Sequence, residues 1–295
     1  MSPSPNGRNP SVTAVVLNWC DAESTTACLA ALEGQGYPGL SIVLVDNGSP
    51  DGSGDLIRER FPHVEFVQTG ANLGYSGGNN RGIEAALKNG ADYLLILNPD
   101  TFMEPGALHL LIQVASADDR VGAVAPTVVR MDDPEHVWYG GGEFDSMRAL
   151  GIHWNGNGRG ARPAGPHEVS FFTGSAVLLS ARAVREVGAF AEDYFLYVED
   201  AELSIRMNRA GWRIVHQPGA RVRHRLPPLG EEPAPYQIRF RDRNRRRLAR
   251  THLTPVRRFT FRAWFYPTRA AHLARYLLMG DFSRAGAIVR GMTEP

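Results

Sequence analysis

An alternation of short apolar runs with helix-length segments predicts an α/β protein: a mostly parallel central sheet flanked by helices, with an Arg-rich helical extension at the C-terminus. Three observations predict it. Runs rich in Val, Ile and Leu at 12–17, 41–46, 64–68, 92–97 and 121–129 have the length and apolarity of strands buried on both faces. The helix-length stretches between them imply right-handed crossovers joining parallel neighbours. Three of these strands stop at polar residues: Asn18, Asp46, and the turn Asn98, Pro99, Asp100. In an open α/β sheet the carboxyl ends of the strands are where ligands bind.

Residues 1–10 are rich in Pro, Ser and Asn and predict a disordered lead-in without the apolar core of a secretory signal. Helix 22–34 ends at Gly34 and Gly36. Residues 47–53 are strong turn chemistry and offer an N-cap for a helix at 55–60. Residues 72–82 read as a glycine-rich loop opening a helix to Lys88. Pro99 cannot donate to a ladder and closes the strand at 92–97. A helix at 105–115 begins on Pro105, which suits a first turn. From 138 to 166 the pattern breaks into a long loop or hairpin. A strand follows at 171–179, then a short helix at 182–187 closed by Gly188. A helix at 199–210 is capped by Gly211, and two short strands cover 213–216 and 220–224. Beyond the Pro-rich segment 227–235 the chain reads as helices. Pro267 predicts two short helices there rather than one long one.

The 295 residues are 43% hydrophobic and 21% charged, which suits a globular enzyme and excludes a disordered chain. There is no apolar run long enough to span a bilayer. Cys20 and Cys28 lack metal-site spacing and make no disulfide framework, which fits a reducing cytoplasm.

Each polar residue at the sheet edge has a plain reading and a chemical one. Asp100 suits a turn or a helix N-cap; it also suits a carboxylate holding a divalent cation against a diphosphate. Asp46 is good turn chemistry, or an acceptor for a nucleobase or ribose. The glycines at 74, 77, 78 and 82 miss the dinucleotide-binding frame and follow the third strand, so they serve either close packing or a backbone cradle. Asn72, Asn79 and Asn80 add amides able to read a base or sugar. Glu199 and Asp200 open a helix after an aromatic run. They are helix-start acids, or carboxyls whose pKa is raised towards that of a general base. His224 ends a strand as a packed histidine or as a metal or diphosphate contact.

Taken in order, these segments resemble the family 2 glycosyltransferases. The matching pieces are Val15 to Trp19, Val45 to Ser53, Asn72 to Gly82, Leu97 to Asp100, Thr173 to Ala176, Glu199 to Leu203, Gly211 to Arg213 and Arg221 to His224. The rhamnosyltransferase-like branch is the nearest in pattern, with Arg243 and Asn244 as its late Arg-Asn pair. The resemblance implies a GT-A fold over 11–226, with a nucleotide-binding half at about 11–130, an acceptor-binding half at about 131–226, and a helical extension at 227–295. It implies an inverting, metal-dependent transfer from a UDP- or dTDP-sugar to a glycan, lipid-linked or small-molecule acceptor. Leu17, Asn18 and Asp46 would bind the nucleoside. Asp100 and His224 would hold Mg²⁺ or Mn²⁺, with Asn98 standing where the family's first Asp is expected. Thr173 and Gly174 would face the donor sugar or acceptor. Asp200 would be the base, and Glu199 its neighbour, orienting it or raising its pKa. A sugar-phosphate nucleotidyltransferase would need a basic, glycine-rich loop after the first strand, where this chain has Asn18, Trp19, Cys20 and Asp21. A non-catalytic sugar- or lipid-binding module would have lost the acids, and Asp46, Asp100 and Asp200 are all present.

Charge adds a partner class. Residues 239–290 hold 14 Arg, no Lys and 2 Asp, a charge of +12; against an overall +1 the rest carries −11. Cationic residues interleaved with aromatics suit an anionic membrane surface, placing the enzyme at the inner membrane face; the sugar-transfer motifs disfavour nucleic acid. The alternative is that these arginines pack the C-terminal helices onto the acidic body. The sequence sets no oligomeric state.

Overall fold

The computed structural model describes residues 9–154 and 163–295. Most of the expected lead-in, and part of the segment 138–166, lie outside the described residues.

The first half alternates as expected. It contains β1 (Val12–Asn18), α1 (Ala22–Glu33), β2 (Leu40–Asp46), α2 (Ser53–Arg60), β3 (Glu65–Gln68), α3 (Gly74–Lys88), β4 (Tyr93–Leu97), β5 (Thr101–Met103), α4 (Ala107–Ala115) and β6 (Val121–Arg130). Then come β7 (Val137–Tyr139), β8 (Gly142–Asp145), β9 (Leu150–His153), β10 (His167–Val169), β11 (Ala176–Ser180) and α5 (Ala181–Val187). A 3-10 turn at Glu192–Tyr194 precedes α6 (Glu199–Arg209) and β12 (Arg213–His224). The chain closes with α7 (Pro235–His252), α8 (Pro255–Leu278) and α9 (Phe282–Thr293).

The main sheet runs in the order β10-β12-β6-β11-β4-β1-β2-β3, with β5 paired to β12 and β7 to β6. On one side β4, β1, β2 and β3 are all parallel, and β12 is parallel to β6. Between these blocks β11 is antiparallel to both β4 and β6. β4 is the middle of the core: Leu94, Leu95, Ile96 and Leu97 are all buried, consistent with an apolar run covered on both faces. β8 and β9 form a separate hairpin.

Four local expectations change. The glycine-rich stretch is not a loop: Gly74 to Gly82 lie in the first half of α3. Its glycines let this helix press on the sheet; a Cβ on Gly82 would sit 2.3 Å from Val15 Cγ1 and 2.9 Å from Val45 Cγ2. The strand expected from 171 begins only at Ala176, because 171–175 turn across the sheet edge. The two short strands at 213–224 are one, β12, with a register shift between Gln217 and Arg221. Pro267 does not split the chain, and α8 runs through it for 24 residues. Ala263, whose carbonyl loses its helical donor to Pro267, is exposed, as is Pro267, so the lost bond strands no group in the protein core.

α7 packs on the body. Leu248 and Ala249 are part of the main core, and His252 Nε2 lies 3.0 Å from the buried Glu202 carboxylate, which also pairs with Arg206. Asp242, fully buried, pairs with Arg245 of its own helix and Arg269 of α8.

Gly82→Ala is expected to destabilise the fold by about 1–3 kcal/mol through overpacking against β1 and β2. The measurement is the urea midpoint at constant slope. An unchanged midpoint would mean that α3 has room to recede.

Candidate active site

The strand ends meet as the sheet order requires. β1 and β2 are in register from Val12↔Leu40 to Asn18↔Asp46, so Asn18 and Asp46 emerge side by side. Asn18 Nδ2 donates to Asp46 Oδ1 at 2.8 Å and to Ser53 Oγ at 2.9 Å, while Asn18 Oδ1 accepts from Thr25 Oγ1 at 2.9 Å. Asp46 Oδ2 accepts from Ser49 N at 3.1 Å and Gln68 Nε2 at 2.8 Å. Both side chains are buried. Asp46 is therefore the post on which the 47–53 turn is built. A Cβ on Gly54 would lie 2.5 Å from Asp46 Cγ, so α2 reaches this carboxylate only because position 54 has no side chain. Leu17 is half-buried beside them and touches Gly78.

The three asparagines expected to read a ligand each make internal bonds, while Asn79 Oδ1 is buried without a partner and Asn72 is exposed. Asn72 Oδ1 accepts from Gly74 N and from Asn47 Nδ2. Asn79 Nδ2 donates to Tyr75 O, and Asn80 ties α3 to Phe190 through both ends of its amide. Asn47, passed over in the sequence, orders this corner: buried, it also donates to Gly74 O and accepts from Leu73 N.

Asp100 and His224 are far apart in sequence, yet β5 pairs antiparallel with β12 through His224↔Thr101. His224 Nε2 stands 3.1 Å from Asp100 Oδ1. The contact is close but not aligned as a hydrogen bond, and both Asp100 Oδ1 and His224 Nδ1 are buried without a hydrogen-bond partner. Asp100 Oδ1 and His224 Nε2, ligand types that bind Mg²⁺ or Mn²⁺, thus stand together, while the orphaned Nδ1 is the other nitrogen of the same ring. No group of three or more His, Cys, Asp or Glu side chains able to hold a metal exists among the described residues. Two protein ligands suit an ion that takes the rest of its shell from phosphates and water. Asn98 lies at the same turn, with no hydrogen bond to its side-chain amide among the described residues; its backbone N–H donates to Ser175 O at 3.0 Å. His224 packs edge-on to Trp138, which packs on His153, whose pKa burial pushes down to about 4.

Ser175 leads to the acids. Gly174 N donates to Asp200 Oδ2 at 3.1 Å, and Gly174 O accepts from Tyr75 Oη at 2.6 Å. A Cβ on Gly174 would sit 2.9 Å from that hydroxyl, so residues 173–175 thread between Tyr75 and Asp200. Thr173 is buried beside Ser175. Desolvation raises the Asp200 pKa to about 6, against hydrogen bonds from the backbone of Gly174 and Ala201 that lower it. Glu199 is more deeply buried, and its Oε2 has no hydrogen-bond partner. Its burial, and then the charge of Asp200, hold its pKa well above the usual carboxylate range. The two carboxyls act on each other, and Glu199 is the one facing the apolar interior. Near neutral pH the two adjacent acids differ: Glu199 keeps its proton and Asp200 is mostly ionised. Burial, then the charges of Glu199 and Asp200, push the Tyr75 phenol well up, keeping it a donor.

The turn that delivers these acids is strained. Phe195, Tyr197 and Val198 have φ of 59°, 70° and 74°, left-handed conformations that aromatic and β-branched residues rarely adopt. It is clamped by α7. Asn244, buried, directs its Nδ2 at the carbonyls of Tyr194, Leu196 and Tyr197 at 2.7–2.8 Å. Arg243 donates to Asp193 O and Tyr194 O, and Gln237 Nε2 to Tyr197 Oη. Nothing in local spacing reveals this clamp; its signal was the Arg-Asn pair itself.

The family described as "Glycosyltransferase like family 2" matches residues 10–251. The N-acetylglucosaminyl-diphospho-decaprenol L-rhamnosyltransferase of Mycobacterium tuberculosis is 33% identical over 216 residues, which are 66% of this chain and 70% of that protein. Among solved structures, the mannosyltransferase PcManGT from Pyrobaculum calidifontis, in complex with GDP-Man and Mn²⁺, superposes with a TM-score of 0.60 at 18% identity over 98% of this chain and 88% of that one. GalNAc-T7 with UDP, GalNAc and Mn²⁺ gives a TM-score of 0.61 at 15% identity, over 76% of this chain and 45% of that one. The ordered motifs, the sheet and these likenesses agree: the chain has the GT-A fold and belongs to the family 2 glycosyltransferases, in their rhamnosyltransferase-like branch.

Proposed function

We propose that the chain is an inverting, metal-dependent glycosyltransferase that moves a sugar from a UDP- or dTDP-sugar to an acceptor hydroxyl. The name of the 33% identical relative favours L-rhamnose as the sugar and a lipid-linked glycan, met at the inner membrane face, as the acceptor. One observation carries the reading. The segment 173–175 joins the Asn98–Asp100 turn to Asp200 by two hydrogen bonds, one between backbones, Asn98 N to Ser175 O, and one to a side chain, Gly174 N to Asp200 Oδ2. In this reading that link ties the diphosphate site to the proton acceptor.

In this reading residues 11–130 hold the nucleotide, with Leu17, Asn18 and Asp46 at the nucleoside end. Asn72, Asn79 and Asn80 serve as wall through their internal bonds. Residues 131–226 hold the acceptor, with Thr173 and Gly174 at the sugar. Asp200, ionised near neutral pH, takes the acceptor hydroxyl proton. That oxygen bonds to the anomeric carbon as the bond to the diphosphate breaks on the opposite face, its electron pair leaving with the nucleoside diphosphate. Glu199, protonated, adds no second negative charge beside the attacking oxygen. Asp100 and His224 would hold Mg²⁺ or Mn²⁺, with Asn98 nearby. When bound, the ion supplies positive charge for the leaving diphosphate. Incubation with UDP- and dTDP-sugars, reading nucleoside diphosphate release, tests the class of reaction; no release with any of them would leave a binding module.

Asp200→Asn should reduce transfer by roughly 10²–10⁴-fold with donor binding retained. Because the base works deprotonated and its pKa is pushed up to about 6, kcat/KM of the native enzyme should rise with pH up to that value and level off above it. A variant with near-native rates would remove Asp200 from the mechanism. Asp100→Ala should abolish the Mn²⁺-dependent part of donor binding in calorimetry, and His224→Ala should weaken it less. Equal binding and transfer by EDTA-treated protein would reject the metal role. Asn244→Ala should lower kcat more than it raises KM, and cost about 1–3 kcal/mol of stability by stranding buried carbonyls. A stability loss with unchanged kcat would make the clamp structural only.

A further inference from the structure

α8 has a buried side and a bare one. Phe261, Phe265 and Tyr276 are 2%, 0% and 3% exposed, which fixes how the helix is turned. On the opposite side Val256, Phe259, Tyr266, Pro267, Leu277 and Leu278 fall within one arc at about 100° per residue, with alanines between them. Phe259 is 72% and Leu278 89% exposed, and Thr260 is the one polar residue in that arc. The stripe runs the whole 24-residue helix, about 36 Å. An apolar surface of that extent marks an interaction site.

The charges around it select the occupant. α8 has no Asp or Glu. Arg257 and Arg275 border the arc on one side and Arg262 on the other. Arg262 also joins Arg243, Arg246, Arg247, Arg250 and Arg258 around a recess of about 170 Å³ between α7 and α8. The one acidic side chain lining it, Glu294, is held by Arg239 at 2.7 Å. Arg243, Arg246, Arg247 and Arg258 are partly spent on carbonyls or on Asp193. Arg250, Arg257 and Arg262 are exposed, and their guanidinium groups have no hydrogen-bond or ion-pair partner among the described residues. Two copies of this face would set arginine against arginine, so the surface disfavours self-association and fits an anionic plane with an apolar interior.

We propose that α8 lies flat in the headgroup layer of an anionic membrane, with its bare stripe among the upper acyl chains and the α7–α8 recess taking lipid phosphates. The arginines of α7 mostly hold the fold, so attachment rests on α8 and its rim. This stands whether or not the sugar-transfer reading holds, since Phe259, Leu278, Arg250 and Arg262, on which its test rests, are not site residues.

The test is co-sedimentation of the full-length chain with vesicles of phosphatidylcholine, alone or mixed with phosphatidylglycerol, at low and high salt. Binding is expected only with the anionic lipid and should weaken as salt rises. The double variant Arg250→Gln/Arg262→Gln should bind roughly 30-fold more weakly, about fivefold per arginine. Phe259→Ser/Leu278→Ser should lose on the order of tenfold per residue, with unchanged thermal unfolding because both side chains are exposed. Equal binding to neutral vesicles, or unchanged binding by both variants, overturns the proposal. So does a lipid-free dimer in sedimentation velocity that Phe259→Ser/Leu278→Ser dissolves, which would make the stripe a protein interface. Inorganic diphosphate raising the unfolding temperature through Arg250 and Arg262, with no vesicle binding, would reassign the recess to a free phosphate compound and also overturn it.

Discussion

One side-chain amide holds the acid turn in shape. Asn244 presents two N–H groups to three carbonyls of the segment 194–197; Tyr194 O also accepts from Leu196 N and Arg243, while left-handed residues at 195, 197 and 198 turn the carbonyls of Leu196 and Tyr197 away from any regular ladder. Without the Asn244 amide those two carbonyls would lose its bonds and the strained dihedrals would relax. The first turn of α6 carries Glu199 and Asp200, so its direction follows from this clamp. α3 depends on the same turn: Gly74 meets Phe195 so closely that a Cβ there would lie 2.4 Å from its carbonyl oxygen.

The environment then divides the labour between two like residues. Glu199 points into the interior, where neither water nor a hydrogen-bond donor reaches Oε2. Asp200 points along the sheet edge, where two backbone N–H groups offset part of its desolvation. Adjacent carboxyls both ionised in such a place would repel each other strongly. Asymmetric burial resolves the conflict by leaving the proton on Glu199.

Much of the fold was legible because the signals were local. An apolar run stopped by Asn18, by Asp46 or by Pro99 reads as a strand with its end marked, and all three ends lie where the pattern put them. What escaped depends on distant partners. β5 is three residues long and exists because β12 pairs with it, and that pairing is also what brings His224 to Asp100. Turn propensity made 72–82 look like a loop, whereas packing on Val15 and Val45 makes its glycines the contact face of a helix. Asn72, Asn79 and Asn80 have the chemistry to read a ligand; the bonds each makes to backbone groups of the protein are visible only in three dimensions. Pro267 carries a real helix penalty, which its exposed position keeps out of the core.

The clamp also sets an order of events. Asp200 is translated well before Asn244, and chains emerge from the ribosome N-terminus first. Until α7 has been released, the carbonyls of Leu196 and Tyr197 lack the Asn244 amide, and the turn that directs Asp200 lacks its clamp. Catalytic competence is therefore a late acquisition of the nascent polypeptide, reached only when its basic C-terminal helices have appeared.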